Sequence, residues 1–312
     1  MTAQIGVVTG ATSGIGRAVA LELASSGWRL ELIGRNSDAG ERLVRQIKRL
    51  RNANTATFHS LDLSNQTEVR RVAKVIRESN SSISLLVNNA GARYDRFAAS
   101  AESREMTFAG NHLGHFLLTC LLLDRLIAAP TARVVTVSSG SHFGAHIDDG
   151  WEMSMDKYNR RQAYARSKLA NVMFGYRLAE RLKWSAVTSN VVDPGGVASG
   201  FARNNGWLVW LRHVLSHAAH RDLVCPRTAA RDIVRLCTAP EIGTITGKFF
   251  RQNQERESSA LSRDVASGEK LWKLSVHLTG LDDANCPSWQ WVRPWENPAA
   301  AETAGPRPDL DE

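Results

Sequence analysis

The sequence predicts an α/β fold: a single domain in three layers, with a doubly wound parallel sheet between two sets of helices. Three observations lead there. Short apolar runs suited to buried strands alternate with longer stretches of helical period from Gln4 onward. A glycine-rich turn joins the first apolar run to the first helix. Polar residues able to do chemistry recur just after the apolar runs, where ligands bind in sheets of this kind.

Composition narrows the class. The chain has 312 residues, enough for one large α/β domain, and its 43% hydrophobic and 22% charged residues suit a soluble globular protein. The formal charge is +8, but Lys and Arg are spread along the chain without a long basic block. That fits an anionic small-molecule cofactor and an ordinary basic surface, so no nucleic-acid partner is expected. Cys120, Cys225, Cys237 and Cys286 are far apart and form no C-x-x-C pair, so neither a metal site nor a disulfide framework is expected. An apolar strand begins almost at the N-terminus and leaves no room for a signal peptide, which points to a reducing, cytoplasmic setting. The longest apolar stretch, Phe116 to Ala129, is interrupted by Asp124 and Arg125 and is too short to cross a bilayer; no transmembrane segment is expected.

The elements follow in order. Gln4 to Thr9 reads as a buried strand. It runs into Gly10-Ala11-Thr12-Ser13-Gly14-Ile15-Gly16, and then a helix with Val19, Leu21 and Leu23 on its apolar face. Glycines let the backbone turn tightly and approach a pyrophosphate, and a helix N-terminus offers free N–H groups and a positive dipole end. The second strand, Trp28 to Ile33, ends in Gly34-Arg35-Asn36. An acid near this position would hold a ribose 2′-hydroxyl, whereas an arginine pairs with a 2′-phosphate. Residues 34 and 35 include no acid, so Arg35, helped by Arg17, points to NADP(H) as the preferred cofactor, with NAD(H) the alternative. A basic amphipathic helix covers Ala39 to Leu50, and a strand covers Thr55 to His59. Asp62 and Leu63 follow that strand, with Asp62 placed to meet an adenine. A helix from Glu68 to Glu78 leads to the strand Ile83 to Val87, which ends in Asn88-Asn89-Ala90-Gly91 at the ligand edge of the sheet. There Asn89, Ala90 and Gly91 can serve both the turn and the cofactor.

The next helix is long and holds Asn111-His112-Leu113-Gly114-His115-Phe116. Asn and Gly are poor residues for a helix interior, and that conflict marks a kink or a water site. His112 and His115 lack acidic or cysteine companions and read as packing or hydrogen-bonding residues. Arg133 to Val137 is a strand ending in Ser138-Ser139-Gly140-Ser141. Ser139 stands at the strand end without the G-x-S-x-G elbow of a hydrolase nucleophile. Residues 140–163 are polar and irregular, a flap beside the substrate. A helix then opens with Tyr164-Ala165-Arg166-Ser167-Lys168, which places Tyr164 and Lys168 one turn apart on one face. A free phenol titrates near pH 10, and a neighbouring ammonium would bring it toward useful acid/base range. Ala186 to Val192 is a strand ending in Asp193-Pro194-Gly195-Gly196-Val197. Residues 197–222, rich in Trp and Leu, read as a substrate lid, with a membrane contact and plain core packing as alternatives. Arg227 to Cys237 is a helix, Gly247 to Phe250 closes the sheet, and Gly268 to Leu278 is a further helix. The domain spans residues 1–293, and the Pro-, Ala- and acid-rich residues 294–312 read as a disordered tail.

Together these pieces resemble the short-chain dehydrogenase/reductase family, whose fold is Rossmann-type. The match runs in order through Thr9 to Gly16, Asn88 to Gly91, Ser139 with Tyr164 and Lys168, and Pro194-Gly195. Asn-His-Leu-Gly-His-Phe at 111–116 and Tyr-x-x-Ser-Lys-Leu-Ala-Asn at 164–171 are close to the retinol dehydrogenase-like branch. So are Gly-Lys-Phe-Phe at 247–250 and Leu-Trp-Lys-Leu-Ser at 271–275. The resemblance implies an oxidoreductase that interconverts a carbonyl and an alcohol on a small-molecule substrate, lipophilic compounds included, as a homodimer or homotetramer. It makes Tyr164 the acid/base and has Lys168 lower its pKa and hold the nicotinamide ribose. Ser139 orients the substrate oxygen, and Asn111 supports a water-linked relay. Pro194, Gly195 and Val197 border the nicotinamide. A C=C reductase, an epimerase and a non-catalytic NADP(H)-binding sensor are the alternatives on this scaffold. Two departures stand out: Asp193 precedes Pro194-Gly195 where the branch often has His, and Ala198-Ser199 follows Val197 where Arg-Thr is common. With no N-terminal anchor expected, the resemblance does not extend to a retinoid substrate.

Overall fold

The computed structural model describes residues 4–196 and 225–281. Its centre is one eight-stranded sheet. The strands are β1 (Ile5–Thr9), β2 (Arg29–Gly34), β3 (Ala56–Ser60), β4 (Leu85–Asn88), β5 (Ala132–Val137), β6 (Val187–Asp193), β7 (Phe249–Arg251) and β8 (Gln254–Arg256). Their spatial order is β3-β2-β1-β4-β5-β6-β7-β8, and every pairing is parallel except β7 with β8. The fold is therefore the doubly wound, Rossmann-type sheet that the alternating pattern predicts. The chain winds outward through β2 and β3, then returns to place β4 on the other side of β1. That reversal opens a crevice beyond the carboxyl ends of β1 and β4.

Seven helices flank the sheet among the described residues, apart from short turns. They are α1 (Gly14–Ser25), α2 (Ser37–Ile47), α3 (Gln66–Ser79), α4 (Met106–Ile127), α5 (Arg160–Arg181), α6 (Pro226–Thr238) and α7 (Val265–Thr279). Successive strand residues point to opposite faces, so Val7 and Val8 enter different cores. Val7, Leu86 and Val134 pack under Val72 and Ile76 of α3, Phe116 and Leu122 of α4, and Phe174 of α5. Val8, Leu32 and Val135 pack under Val19 and Leu23 of α1, Leu43 of α2 and Ile233 of α6. In the first core, Trp272 of α7 meets Phe116 with ring centroids 5.0 Å apart, and the Arg181 guanidinium lies 4.0 Å from its centroid. Losing the Trp272 ring would cost about 3–5 kcal/mol.

Asparagine caps account for several helix starts. Asn36 accepts from Ala39 N at 2.8 Å, Asn65 from Glu68 N at 3.1 Å, and Asn159 from Arg161 N at 3.0 Å. By contrast, Ser13 makes no side-chain cap bond to α1, whose first turn carries no acidic residue.

Three sequence expectations need correction. The antiparallel edge strand β8 was not expected; it returns from β7 through Gln252 and Asn253, both with positive φ, a tight hairpin that keeps the exposed edge short. The apolar stretch at Phe116 belongs to the continuous helix α4, which starts at Met106 and is long and apolar enough, by length and composition, to cross a membrane. Almost all of it is instead buried inside the fold, as its place in the first core requires. Finally, α7 begins at Val265, three residues early, because Asp264 caps it by accepting from Ser267 N at 2.8 Å. The supposed lid at 197–222 and tail at 294–312 lie outside the described residues.

The expected irregularity at Asn111 is a π-helical turn, Ala109–Leu113, inside α4. Such turns insert a residue and re-aim the side chains around it. Gly114 ends it against the loop after β3: a Cβ there would stand 2.1 Å from the Leu63 carbonyl oxygen.

Candidate active site

A cleft of about 420 Å³ occupies the crevice at the carboxyl edge of the sheet. Its floor is the turn after β1. Gly10 has φ +66°, and a Cβ on it would be 2.9 Å from Ala90 Cα. At Gly16 a Cβ would lie 2.4 Å from both the Gly10 carbonyl oxygen and Asn89 Nδ2. Only glycine lets the turn, the start of α1 and the end of β4 come this close. Asn89 Nδ2 donates to the Thr9 carbonyl at 2.8 Å, locking the two strand ends together. The Thr9 hydroxyl accepts from Asn89 N at 2.9 Å and from Ala90 N at 3.0 Å. It also lies 2.9 Å from His115 Nε2. His115 Nδ1 must donate to the Asn111 carbonyl, 2.9 Å away, so Nε2 is the acceptor and Thr9 donates to it. Burial holds His115 neutral, with its pKa down at about 4. The reading of His115 as a hydrogen-bonding residue holds. His112, drawn down to about 3 by burial, packs among Phe108, Phe116 and Phe174 and bonds Ser275 Oγ at 2.8 Å.

Gly10, Thr12, Ser13, Gly14, Ile15 and Gly16 line one side of the cleft, and Arg35, Asp62 and Leu63 line its far end. Arg35 Nη1 is 3.9 Å from Asp62 Oδ2, a half-exposed pair. Asp62 also accepts from Ser64 N at 3.0 Å and Ser64 Oγ at 2.8 Å, which tethers the loop after β3. Arg17, expected as a helper, instead hydrogen-bonds Gln46 on α2. Asn89, Ala90, Gly91, Pro194 and Gly195 complete the other side. Val197 lies outside the described residues.

At the near end stand Tyr164, Lys168 and Ser139. The helical register of α5 brings the Lys168 ammonium over the Tyr164 ring, 5.6 Å from its centroid. Lys168 is buried and donates to the Val137 carbonyl at 3.1 Å. Gly91 gives it room, since a Cβ there would come 3.3 Å from Nζ. The Tyr164 hydroxyl shares a hydrogen bond with the Ser139 side chain. Burial lowers Lys168 to about 8, against the pull of Asp193. It pushes the Tyr164 phenol up, and Asp193 adds to the rise while Ser139 and Arg93 oppose it. The expected depression of Tyr164 by Lys168 is thus absent. Desolvation outweighs it, because taking a phenolate out of water is costly and Lys168 faces the ring while its proton points to Val137.

Asn111 also lines the cleft, with its amide engaged by the neighbouring loop. Its Oδ1 accepts from Ala92 N at 2.8 Å, and Nδ2 donates to the Ala92 carbonyl at 2.9 Å and to Ser167 Oγ at 3.0 Å. It clamps the loop after β4 onto α5. Ser139 is held from below by His142, whose Nδ1 donates to the Ser139 carbonyl at 2.7 Å and whose Nε2 accepts from Ser259 N at 3.1 Å. Asp193, buried, accepts from Gly195 N at 3.0 Å and pairs with Arg251 Nε at 3.5 Å. Ser139, Tyr164, Lys168 and the glycine turn thus share one cleft, although they come from five strands' worth of sequence.

A sequence profile of the short chain dehydrogenase family matches residues 4–206. Human retinol dehydrogenase 13 is 34% identical over 279 residues, covering 88% of this chain and 84% of the relative. The chain belongs to the short chain dehydrogenase family. Within it the retinol dehydrogenase-like branch is the match, and mouse polyprenol dehydrogenase is also similar: 33% identical over 294 residues, 92% of this chain and 87% of the relative. Among solved structures, an uncharacterized protein from Mycobacterium Paratuberculosis superposes with a TM-score of 0.68 at 28% identity, covering 89% of this chain and 94% of the other. This short chain dehydrogenase is an NAD(P)-dependent oxidoreductase acting on alcohols and carbonyls.

The cleft fits a dinucleotide. A Cβ at Gly10 or Gly16 would fill the cradle, and the first turn of α1 leaves its N–H groups uncapped by Ser13 or any acid. Sequence reasoning overlooked Tyr94, Arg93 and Met106, which also line the cleft. An aromatic and a cation directly after Asn-Asn-Ala-Gly were the available signal. Their side chains show no periodic pattern, so only the path of the loop reveals where they go.

Proposed function

We propose that this protein is an NADP(H)-dependent oxidoreductase that interconverts a ketone or aldehyde and the corresponding alcohol, with Tyr164 as acid/base. The observation that carries the reading is the Tyr164–Ser139 hydrogen bond in the same cleft as Lys168 and the glycine turn. Bound there, the nicotinamide supplies or accepts a hydride; the protein's residues bind, orient and move the proton. The N–H groups at the start of α1 would hold the pyrophosphate, and Lys168 would hold the nicotinamide ribose. Ser139 Oγ donates to the substrate oxygen, and Tyr164 Oη delivers its proton to that oxygen in reduction or takes it in oxidation. Because burial raises the phenol pKa, Tyr164 is protonated at neutral pH, which suits the reductive direction. Arg35 at the end of β2 supports NADP(H), since a guanidinium pairs with a 2′-phosphate.

A lipophilic substrate is supported by the names of the relatives, dehydrogenases of retinol and polyprenol, both apolar alcohols. Phe143, in the flap four residues beyond Ser139, is 55% exposed and offers an apolar surface on that flap. The assay is NADPH consumption across aldehydes, ketones and enones of graded chain length. Tyr164→Phe should lose about 10²–10⁴-fold in turnover while keeping NADPH affinity; near-wild-type turnover would refute the assignment. Product analysis separates carbonyl from C=C reduction. Arg35→Asp should shift preference toward NADH, and an unchanged ratio would leave Arg35 a surface residue. We further propose a cytoplasmic homodimer or homotetramer, checked by light scattering of the full chain and by fractionation.

A further inference from the structure

We propose that Tyr94 is a cofactor-specificity residue: it straps the adenosine half of the cleft and, with Arg35, reads the 2′-phosphate. The inference rests on the cofactor reading above and extends it to a side chain from the opposite wall.

Strand order makes the placement unusual. Tyr94 leaves the loop after β4, whereas Arg35 leaves the end of β2, and β1 lies between these strands. Two inter-strand spacings separate their roots, about 10 Å. Yet Tyr94 Oη is 3.5 Å from Arg35 Nη1, and both residues line the cleft. The tyrosine therefore reaches across the turn after β1, over the groove where a dinucleotide would lie. On its far side Arg35 stands 3.9 Å from Asp62. The three side chains form an arch of aromatic ring, cation and carboxylate.

The near end of the arch is anchored. The Tyr94 carbonyl accepts from Tyr158 Oη at 2.8 Å. Tyr158 packs edge-on against Phe97, with ring centroids 5.9 Å apart, and belongs to the flap between β5 and α5. The strap is thus tied to the segment beside the substrate. Its chemistry also suits the task. An aromatic face takes a nucleobase by stacking, whatever the base. A phenolic O–H donates to a phosphate oxygen, and burial raises the Tyr94 pKa, followed by a smaller opposing effect of Arg35, so the proton is kept at neutral pH. A tyrosine that only packed on the surface would have no reason to meet the residue predicted to bind the 2′-phosphate.

The test uses the full chain and measures binding rather than turnover. NADPH and NADH dissociation constants come from fluorescence titration, and dissociation rates from stopped flow with an excess of competing dinucleotide. Wild type, Tyr94→Ala, Tyr94→Phe and Tyr158→Phe are compared, each checked for folding by circular dichroism. Tyr94→Ala should weaken NADPH at least tenfold, mostly through faster dissociation. Tyr94→Phe keeps the ring, folds most securely, and should weaken NADPH about threefold more than NADH. Tyr158→Phe, which frees the anchor, should speed NADPH release in the same direction as Tyr94→Ala. Unchanged affinity and release in Tyr94→Ala would overturn the strap, as would tighter binding, the mark of a plug. An unchanged NADPH-to-NADH ratio in Tyr94→Phe would overturn the phosphate contact. Wild type binding neither dinucleotide would overturn the cofactor reading itself, a different failure.

Discussion

Replacing Gly16 by alanine adds one methyl group at the tightest point of the cofactor cradle. That Cβ would stand 2.4 Å from the Gly10 carbonyl oxygen and 2.4 Å from Asn89 Nδ2, where ordinary contact begins at 3.4 Å. Something must therefore move by about 1 Å in a close-packed region. The start of α1 cannot easily give way, because Val19, Ala20 and Leu23 on its next turns are fully buried against the sheet. Overpacking of this kind costs about 1–3 kcal/mol. Pushing Asn89 aside also breaks its 2.8 Å bond to the Thr9 carbonyl, worth about 1 kcal/mol more. A total of about 2–4 kcal/mol should lower Tm by roughly 3–7 °C for a domain of this size. It should also weaken NADPH binding tenfold or more, since tenfold requires only about 1.4 kcal/mol of that strain to fall on the bound state. Gly144→Ala is the control: its Cβ would meet nothing within 4 Å. It should change stability by no more than about 0.5 kcal/mol. Differential scanning calorimetry and dinucleotide titration of both variants decide the matter. A Gly16→Ala protein with wild-type Tm and affinity would refute the cradle, and equal damage from Gly144→Ala would remove the steric explanation.

Three further outcomes are expected. Lys168 titrates at about 8 in the fold against 10.5 as a free side chain, so its charge is penalised below pH 8 and the penalty disappears as pH rises from 8 to 10.5. Stability should therefore increase across that window by up to roughly 3 kcal/mol; Lys168→Met should lose the pH dependence, gain stability at pH 7 and lose turnover, and a parallel pH–stability curve in the variant would contradict this. His112 is held near 3 by burial, so between about pH 6.5 and 3 only the unfolded chain takes its proton, and stability falls on acidification by up to about 1.4 kcal/mol per pH unit. His112→Phe should flatten the urea-midpoint slope between pH 6.5 and 4.5, and an unaltered slope would show that His112 is charged in the fold. Asn111→Ala removes three hydrogen bonds and leaves both Ala92 backbone groups without that partner. It should cost about 2–4 kcal/mol in denaturant titration, and full stability would mean that water replaces the amide without penalty.

Much of this protein is written in local pattern. The alternation of apolar runs and helical period located the sheet and its flanking helices, because strand and helix burial impose periods of two and 3.6 residues. The glycine turn was legible because φ +66° at Gly10 favours glycine and the close packing at Gly16 leaves no room for a Cβ. Tyr164 and Lys168 share a helix face by spacing alone, and the misfit of Asn111 and Gly114 in a helix signalled a kink or water site, which in the structure is the π turn. The edge strand β8 escaped notice because three exposed residues, Gln254, Glu255 and Arg256, carry no apolar signature.

The sequence by itself determined the fold class, the family and many of the residues that meet at the carboxyl edge of the sheet, since these follow from periodicity, backbone allowance and spacing along single elements. The tertiary structure alone decided their electrical state and their partners. It turned Arg17 away to Gln46, committed the Asn111 amide to Ala92, and set Asp193 within electrostatic reach of Tyr164 and Lys168. It also drew Tyr94 across the groove to Arg35. Burial and long-range contact depend on how distant segments stack, and no local pattern encodes the dielectric around a buried phenol or the path of a loop over a cleft.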